Sequence, residues 1–429
     1  MKIQQLNGKK ICILGFGREG RAVADVLSGM EVDVVIADRN GKLKMESGKF
    51  GKATLQLGEN YLNNLNKFDL IIKSPGIPPS EIKDIDKNKI TNSTQIFLDS
   101  ISDSGAKVIG VTGSKGKSTT ASLIYEILKA ADIDTYLVGN IGEPAIKYLY
   151  KAKPDTIFVM EMSSHQLNDL SVSPHIAVIT SFFPEHLDYY GSVEAYKDAK
   201  KNISRFQTTD DAVFYNGESD CAKEIADDSK GTKIGVNKDD SPLPITGTKL
   251  IGEHNLINIA LAYKVSEQLG VDSKTAIKTI KEFQGLPHRL QNLGEHHGII
   301  WIDDSISTTP ESAIAAIDAV GDVSTIILGG QDRGNDFTDL GKRIADSSIE
   351  NVILIGESSP RIREAIEGYE AKVEFYEAQD MKSAVKESTR VTSNEQRATN
   401  NICLLSPASP SYDMFENFEV RGNEFRQNI

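Results

Sequence analysis

The chain has 429 residues, 39% hydrophobic and 25% charged, and its 61 acidic against 48 basic residues leave a net charge of -13. That composition folds throughout, and the length exceeds one ordinary core, so three domains are expected. The negative charge argues against nucleic acid or an anionic membrane as partner, and Cys12, Cys221 and Cys403 are too scattered for a disulfide framework or a C-x-x-C metal site.

Met1 to Gly8 shows no basic region followed by an apolar run, and no stretch reaches the roughly 18 consecutive apolar residues of a membrane span. A reducing, cytoplasmic location is expected. The first strand should cover Lys10 to Leu14, with a helix following Arg18 and further strands at Val32 to Ala37 and Leu70 to Lys73. Between the first strand and its helix stands Gly15-Phe16-Gly17-Arg18-Glu19-Gly20, a complete G-x-G-x-x-G, and Asp38 closes the next strand where an acid would meet a ribose. Read alone, this is a nicotinamide dinucleotide site. No catalytic constellation for hydride transfer follows it, so we read a nucleotide-sized pocket, or a tight turn packing helix on strand. Ser74-Pro75-Gly76-Ile77-Pro78-Pro79 is a rigid turn because its prolines and glycine resist regular structure.

A second unit opens with a strand at Val108 to Val111 and continues through Thr156 to Glu161, Ile176 to Thr180 and the helix Asn255 to Leu269, ending near Gly285-Leu286-Pro287. Its first strand runs into Thr112-Gly113-Ser114-Lys115-Gly116-Lys117-Ser118-Thr119 and then a helix through Ala130. Glycines let backbone N–H groups point inward at phosphate oxygens, and the helix N-terminus adds about half a positive charge. Lys117 should reach the terminal phosphates and face solvent without them, while the hydroxyl of Ser118 or Thr119 would meet magnesium. The strict G-x-x-x-x-G-K-[ST] register fails because position 111 is Val; the shorter G-x-x-G-K-S-T is present. A bland glycine turn with an exposed lysine is the alternative.

The last unit has strands at Ile299 to Ile302, Thr325 to Leu328, Asn351 to Ile355 and Asn401 to Leu405, separated by helices such as Pro310 to Ala319. The class is therefore α/β with three domains: Rossmann-like over 1–98, P-loop-type mononucleotide-binding over 99–286, and Rossmann-like over 287–429. No short-period repeat or low-complexity tract is present.

The motifs occur in an order that resembles the Mur ligase family. They are Gly113 to Thr119, Gly139-Asn140-Ile141-Gly142, Glu161-Met162-Ser163-Ser164-His165-Gln166-Leu167, Pro184-Glu185-His186-Leu187-Asp188, Gly252-Glu253-His254-Asn255 and Gly285-Leu286-Pro287-His288-Arg289. The closing stretch, Leu405 to Ser411 followed by Asn417-Phe418-Glu419 and Arg421-Gly422-Asn423-Glu424-Phe425, is most similar to members that add D-glutamate. The resemblance implies attack of a substrate carboxylate on ATP to give an acyl phosphate, then attack by an amine, with UDP-N-acetylmuramoyl-L-alanine and glutamate as substrates. It also implies magnesium, two ions, and a chain acting as a monomer.

By the same resemblance, the catalytic set is Lys117, Glu161, His186 and Lys200. Ser118, Glu161, His186 and a carbamylated Lys200 would hold metal. A carboxylate at the C-terminal end of a buried strand suits a hard cation. On residues alone, Glu161 could equally be a salt-bridged core acid, His186 a packed histidine and Lys200 part of a solvated helical face. His254, Asn255, Asn258, Arg289 and Asp304 resemble contacts to adenosine and phosphates, Arg289 being the best suited because a forked guanidinium matches phosphate. Gly15, Phe16, Gly17, Asp38 and Arg39, with Ser74, Pro75 and Gly76, would receive the UDP moiety, and Asn140 and Gln166 the sugar-peptide. Thr308, Arg333, Ser411 and Phe418 would form the glutamate pocket. Here the chain departs from the family: Asp304-Ser305-Ile306-Ser307-Thr308-Thr309 has Ile306 where a lysine is usual, and Arg333 stands near another expected lysine. L-glutamate therefore competes with D-glutamate. Outside this family the competitors are a nicotinamide-dependent oxidoreductase and a P-loop ATPase or kinase that forms no bond to an amine.

Overall fold

The computed structural model describes residues 1–44, 50, 53–369, 371–392 and 401–429. The chain forms two compact units, Met1–Pro242 with Leu256–Ile280, and Leu243–Asn255 with Lys281–Ile429.

The first unit holds two sheets. In one, strands β1 (Lys10–Leu14), β2 (Asp33–Asp38), β3 (Thr54–Leu57), β4 (Leu70–Lys73) and β5 (Ile90–Thr91) lie in the order β3-β2-β1-β4-β5, every pairing parallel. This is a doubly wound order whose direction of winding reverses between β1 and β4. In the other, β6 (Lys107–Thr112), β7 (Thr135–Gly139), β8 (Ile157–Glu161), β9 (Ile176–Ile179), β10 (Ala212–Asn216) and β11 (Thr232–Val236) take the order β11-β10-β9-β6-β8-β7, again all parallel. Strands β6, β8 and β9 are almost wholly buried because helices cover both faces, which is why they read as unbroken Val, Ile and Phe runs. Strands β3, β5, β7, β10 and β11 were missed; all but β10 are edge strands, and β3 and β11 are largely exposed.

The second unit contains one mixed sheet of β12 (Gln291–His296), β13 (Ile299–Asp303), β14 (Thr325–Gly329), β15 (Asn351–Ile355), β16 (Glu374–Glu377) and β17 (Ile402–Leu405). Its order is β12-β13-β17-β14-β15-β16, with only the β12–β13 pair antiparallel. The expected strands are present, shifted by a residue at several ends. Neither the polar, mostly exposed β12 nor the edge strand β16 was expected.

The helix after the phosphate loop, Lys117–Ala130, buries Leu123, Ile124, Ile127 and Leu128 completely against the central sheet. Complete burial of four such side chains contributes on the order of 6–10 kcal/mol before entropy is counted, which holds the loop at the helix start in place.

Candidate active site

The loop between β6 and helix Lys117–Ala130 emerges in the middle of the central sheet, flanked by the ends of β8 and β9. Gly116 has φ +85°, and a Cβ there would lie 2.3 Å from Asn258 Oδ1, so only glycine permits this approach. Asn258, expected to contact nucleotide, thus packs beneath the loop, where its Oδ1 accepts from Thr120 Oγ1 at 3.3 Å. Gly113 is equally hemmed in, since a Cβ would stand 2.0 Å from Thr180 Oγ1. The loop is pinned by the two residues that follow β9: Ser114 N donates to Ser181 O at 2.9 Å, Lys115 N to Ser181 Oγ at 2.8 Å, and Thr180 Oγ1 to Lys115 O at 2.6 Å. By contrast, the N–H groups of Gly116, Ser118 and Thr119 donate to no described residue. A helix start with unsatisfied donors is a ready anion cradle.

The cations around this cradle are held differently from each other. Lys117 is half-buried, not solvent-facing as expected, because its Nζ folds back to donate to Ser114 O at 2.8 Å. Lys115 is exposed and pairs with Glu185 at 2.9 Å. Lys200, only 1% exposed, donates to Gly113 O at 2.8 Å. Burial first, and the neighbouring Lys117 charge second, lower its pKa to about 7, so a large neutral fraction exists at physiological pH. The sequence reading of Lys200 as a solvated face fails because helix Val193–Lys201 turns this residue inward.

Glu161 ends β8 and is buried; Oε1 accepts from Asn140 Nδ2 at 2.8 Å, while Oε2 has no hydrogen-bond partner. A buried carboxylate oxygen left unpaired is costly, and a hard cation would satisfy it. Among the described residues, no three His, Cys, Asp or Glu side chains gather into a ready-made metal centre. Ligands of other kinds, such as the Ser118 hydroxyl, a modified Lys200 and phosphate oxygens, would have to complete one.

His186 takes φ +57° at the start of helix Leu187–Tyr190. Its ring lies 4.8 Å from that of His165, a residue the sequence offered only as part of a motif. Burial, then the His186, Lys73 and Lys200 charges, lower the His165 pKa to about 4, so this imidazole is neutral. Tyr189 packs edge-on against His165 at 4.3 Å, and its hydroxyl is shared between the carbonyls of Pro75 at 3.1 Å and Ile77 at 3.0 Å. Lys73, buried at the end of β4, donates to Ile77 O at 3.1 Å and pairs with Asp169 at 2.8 Å. The Ser74-Pro75-Gly76 turn is thereby fastened to the loop carrying His186. Nothing in the local sequence of Lys73, Asp169 or Tyr189 announces this clasp.

The first sheet's glycine turn is also closed. Phe16 N donates to Asp38 Oδ2 at 2.6 Å, and Asn40 N to Asp38 Oδ1 at 2.7 Å. A Cβ on Gly20 would sit 2.1 Å from Gly15 O, and Ser74 Oγ donates to that same carbonyl at 2.8 Å. The Phe16 side chain is buried against Phe50, so only its backbone borders the turn. Gly17 is the exposed residue from which helix Arg18–Leu27 begins. Arg39 is exposed and pairs with Glu81 at 2.6 Å. Gln166 is buried, its amide shared between Ser163 N at 2.9 Å and Glu19 Oε1 at 3.2 Å.

The remaining candidates belong to the second unit. Asp304 is buried and accepts from Ser307, from Ser406 at 2.8 Å and from Leu290 N at 3.1 Å; burial nevertheless raises its pKa to about 6. Arg289 is exposed, and its charge, after burial, lowers the pKa of His254. Asn255 donates to Ile251 O at 2.8 Å. The loops after β13, β14 and β17 converge: Gln331 N donates to Pro410 O at 2.8 Å, and Ser305 Oγ to Phe418 O at 2.8 Å. Arg421, fully buried, joins them by donating to Ser409 O at 2.9 Å and Ser305 O at 2.8 Å. Ser411 is buried, Thr308 and Ile306 are half-buried, and exposed Arg333 lies 5.4 Å over the Tyr412 ring.

Residues 111–241 match the Mur ligase middle domain and residues 288–407 the Mur ligase glutamate ligase domain. A Salinispora tropica UDP-N-acetylmuramoyl-L-alanine--L-glutamate ligase is 34% identical, the alignment covering 100% of this chain and 99% of that one. The chain belongs to the Mur ligase family. This Mur ligase is also 35% identical to a Streptococcus uberis UDP-N-acetylmuramoylalanine--D-glutamate ligase, over 98% of this chain and 96% of the relative. MurF of Acinetobacter baumannii shares its fold with a TM-score of 0.61 at 16% identity, covering 100% of this chain and 93% of MurF. MurF of Thermotoga maritima, solved with ADP, gives 0.58 at 16%, covering 99% and 96%. Residues 1–61 match the NAD-binding domain of D-isomer-specific 2-hydroxyacid dehydrogenases, the same signal that made the glycine turn look like a dinucleotide site. The Mur ligase is an ATP-dependent ligase with a three-domain α/β fold.

Proposed function

We propose that this ligase joins D-glutamate to UDP-N-acetylmuramoyl-L-alanine, as a monomer in the cytoplasm, with the division 1–98, 99–286 and 287–429 serving UDP-substrate, ATP and amino-acid binding. The observation that carries this reading is the cradle of unpaired amides at Gly116, Ser118 and Thr119, with Lys117 and Lys200 beside it. A carboxylate oxygen of the alanyl substrate attacks the γ-phosphorus of ATP and ADP leaves. The glutamate amine then attacks the acyl carbon and phosphate departs. Lys117, leaving Ser114 O, follows the charge on the terminal phosphate, and the loop amides hold the leaving diphosphate. Bound magnesium, two ions, would offset the triphosphate charge, held by Ser118, Glu161, His186 and a Lys200 whose neutral amine has added carbon dioxide and lost a proton.

The contacts proposed for adenosine and phosphates are His254, Asn255, Asn258, Arg289 and Asp304, and those for glutamate are Thr308, Arg333, Ser411 and Phe418. L-glutamate is a second reading, favoured by Ile306 at the usual lysine position and by the 34% identity to an L-glutamate ligase. Phosphate release measured with UDP-N-acetylmuramoyl-L-alanine and each glutamate enantiomer separately decides between them. Release with neither, or release needing no amino acid, would sink the proposal.

A further inference from the structure

Two consecutive side chains at the start of helix Arg18–Leu27 reach in different directions. Glu19 turns its carboxylate away from the glycine bend: Oε2 accepts from Ser93 Oγ at 2.6 Å and Oε1 from Gln166 Nε2 at 3.2 Å. Arg18 is exposed, and its Nη1 donates to Asn140 O at 3.2 Å. Asn140, the first residue after β7, is itself held twice by Glu161, its N donating to Glu161 O at 2.9 Å and its Nδ2 to Glu161 Oε1 at 2.8 Å. The guanidinium is therefore anchored on a fixed carbonyl instead of waving in solvent.

The other charges around the bend give this arginine its meaning. The N–H groups of Gly17, Arg18 and Glu19 donate to no described residue, so the helix start can receive one phosphate. A diphosphate brings a second, and the acid at the bend, Asp38, adds negative charge of its own while accepting from Phe16 N and Asn40 N. Nearby cations are committed elsewhere: Arg39 is tied to Glu81, Lys73 to Asp169, and Arg21 lies 4.9 Å over the Phe16 ring. A guanidinium carries five N–H donors, and among the described residues Arg18 places only Nη1 on an acceptor. The remaining fork matches two oxygens of one phosphate.

We infer that Arg18 is a substrate-binding residue whose guanidinium, braced on Asn140 O, holds the β-phosphate of the UDP-sugar. The inference rests on the proposed reading of the glycine bend as the UDP site and of Asn140 as a sugar-peptide contact. On that reading the α-phosphate, next to the ribose at Asp38, takes the helix amides. The β-phosphate, which carries the sugar, then lies on the way to Asn140. The position of Glu19 completes the arrangement, since a carboxylate facing the bend would repel both phosphates.

The test titrates the full-length protein with UDP, UMP and UDP-N-acetylmuramoyl-L-alanine by calorimetry. Wild type should bind UDP at least about 10-fold more tightly than UMP, the scale of one charge-assisted contact. In Arg18→Leu that preference should fall below about threefold with UMP affinity unchanged, and UDP-N-acetylmuramoyl-L-alanine should weaken by the same factor as UDP. Arg18→Lys should keep part of the preference, because charge without the fork still attracts phosphate. Arg18→Gln repeats the measurement should the leucine variant fold poorly by circular dichroism. An equal loss for UDP and UMP in Arg18→Leu, an undiminished preference there, or no preference in wild type overturns this inference and leaves the UDP site standing. Wild-type protein that binds none of the three ligands overturns the UDP reading as well.

Discussion

The glycine turn after β1 and the glycine loop after β6 share a local plan: a buried parallel strand, a tight glycine bend, and a helix whose first amides point forward. Their charges are opposite. At the first, a carboxylate closes the bend, Asp38 accepting from Phe16 N at 2.6 Å. At the second, the Lys117 ammonium lies on Ser114 O, with Lys200, whose pKa burial lowers to about 7, on Gly113 O. An acid beside a helix N-terminus suits a ribose hydroxyl together with a weakly charged pyrophosphate, whereas a transferring triphosphate needs cations. Under the proposed function, the same backbone device would bind at the first junction and serve the chemistry at the second.

Removing the cation from the second junction should give the largest effect. Lys117→Ala is expected to cut kcat by about 10²–10³-fold or more, the scale of losing one preorganised donor to developing charge. Circular dichroism and thermal unfolding should stay near wild type. Near-normal turnover would show that the two junctions do not differ in the way proposed.

Lys200 sharpens the contrast through pH. Its folded pKa of about 7 lies below the ordinary lysine value of 10.5, so between these values the unfolded chain binds a proton that the folded chain does not. Stability should therefore rise with pH across this window, by up to about 1.4 kcal/mol per pH unit from this group. Below about pH 7 both states are protonated and the dependence vanishes. Denaturant unfolding of Lys200→Met should lack the slope, and an unchanged slope would place the charge elsewhere.

At the first junction, Asp38→Asn keeps an acceptor for Phe16 N but loses the charge. The KM for the UDP substrate should rise by roughly 10-fold with the KM for ATP unmoved, since charge-assisted hydrogen bonds contribute about 1.5–3 kcal/mol. A parallel rise in both constants would mean that the junctions are not independent. The smallest effect is expected for Tyr189→Phe, which removes the hydroxyl tying the Pro75 turn to the His186 loop. One hydrogen bond of about 1 kcal/mol corresponds to a roughly fivefold rise in the UDP-substrate KM. An unchanged KM would show that the clasp does not position that turn.

Much of this was legible in one dimension. Buried parallel strands announce themselves as Val and Ile runs, so β1, β4, β6, β8, β9, β14 and β15 were foreseen, as was the loop at Gly113 to Thr119. Strands β3, β5, β7, β10, β11, β12 and β16 were not: exposed edge residues hide β3, β11 and β12, whereas β10, with three buried residues inside its sheet, was missed all the same. Among site residues, Gly116 and Glu161 were readable from position alone, the one in a bend before a helix and the other at the end of a strand.

The partners were not readable. That Asn258 packs under Gly116, that Gln166 gives its amide to Glu19, or that Lys200 points inward depends on which elements meet. The sequence by itself determined where strands stop and glycines bend, since those follow from neighbours along the chain. Only the tertiary structure decided which polar groups are already paired and which remain open for ligand. Hydrogen bonding and desolvation depend on groups tens of residues away, brought together by the packing of the sheets.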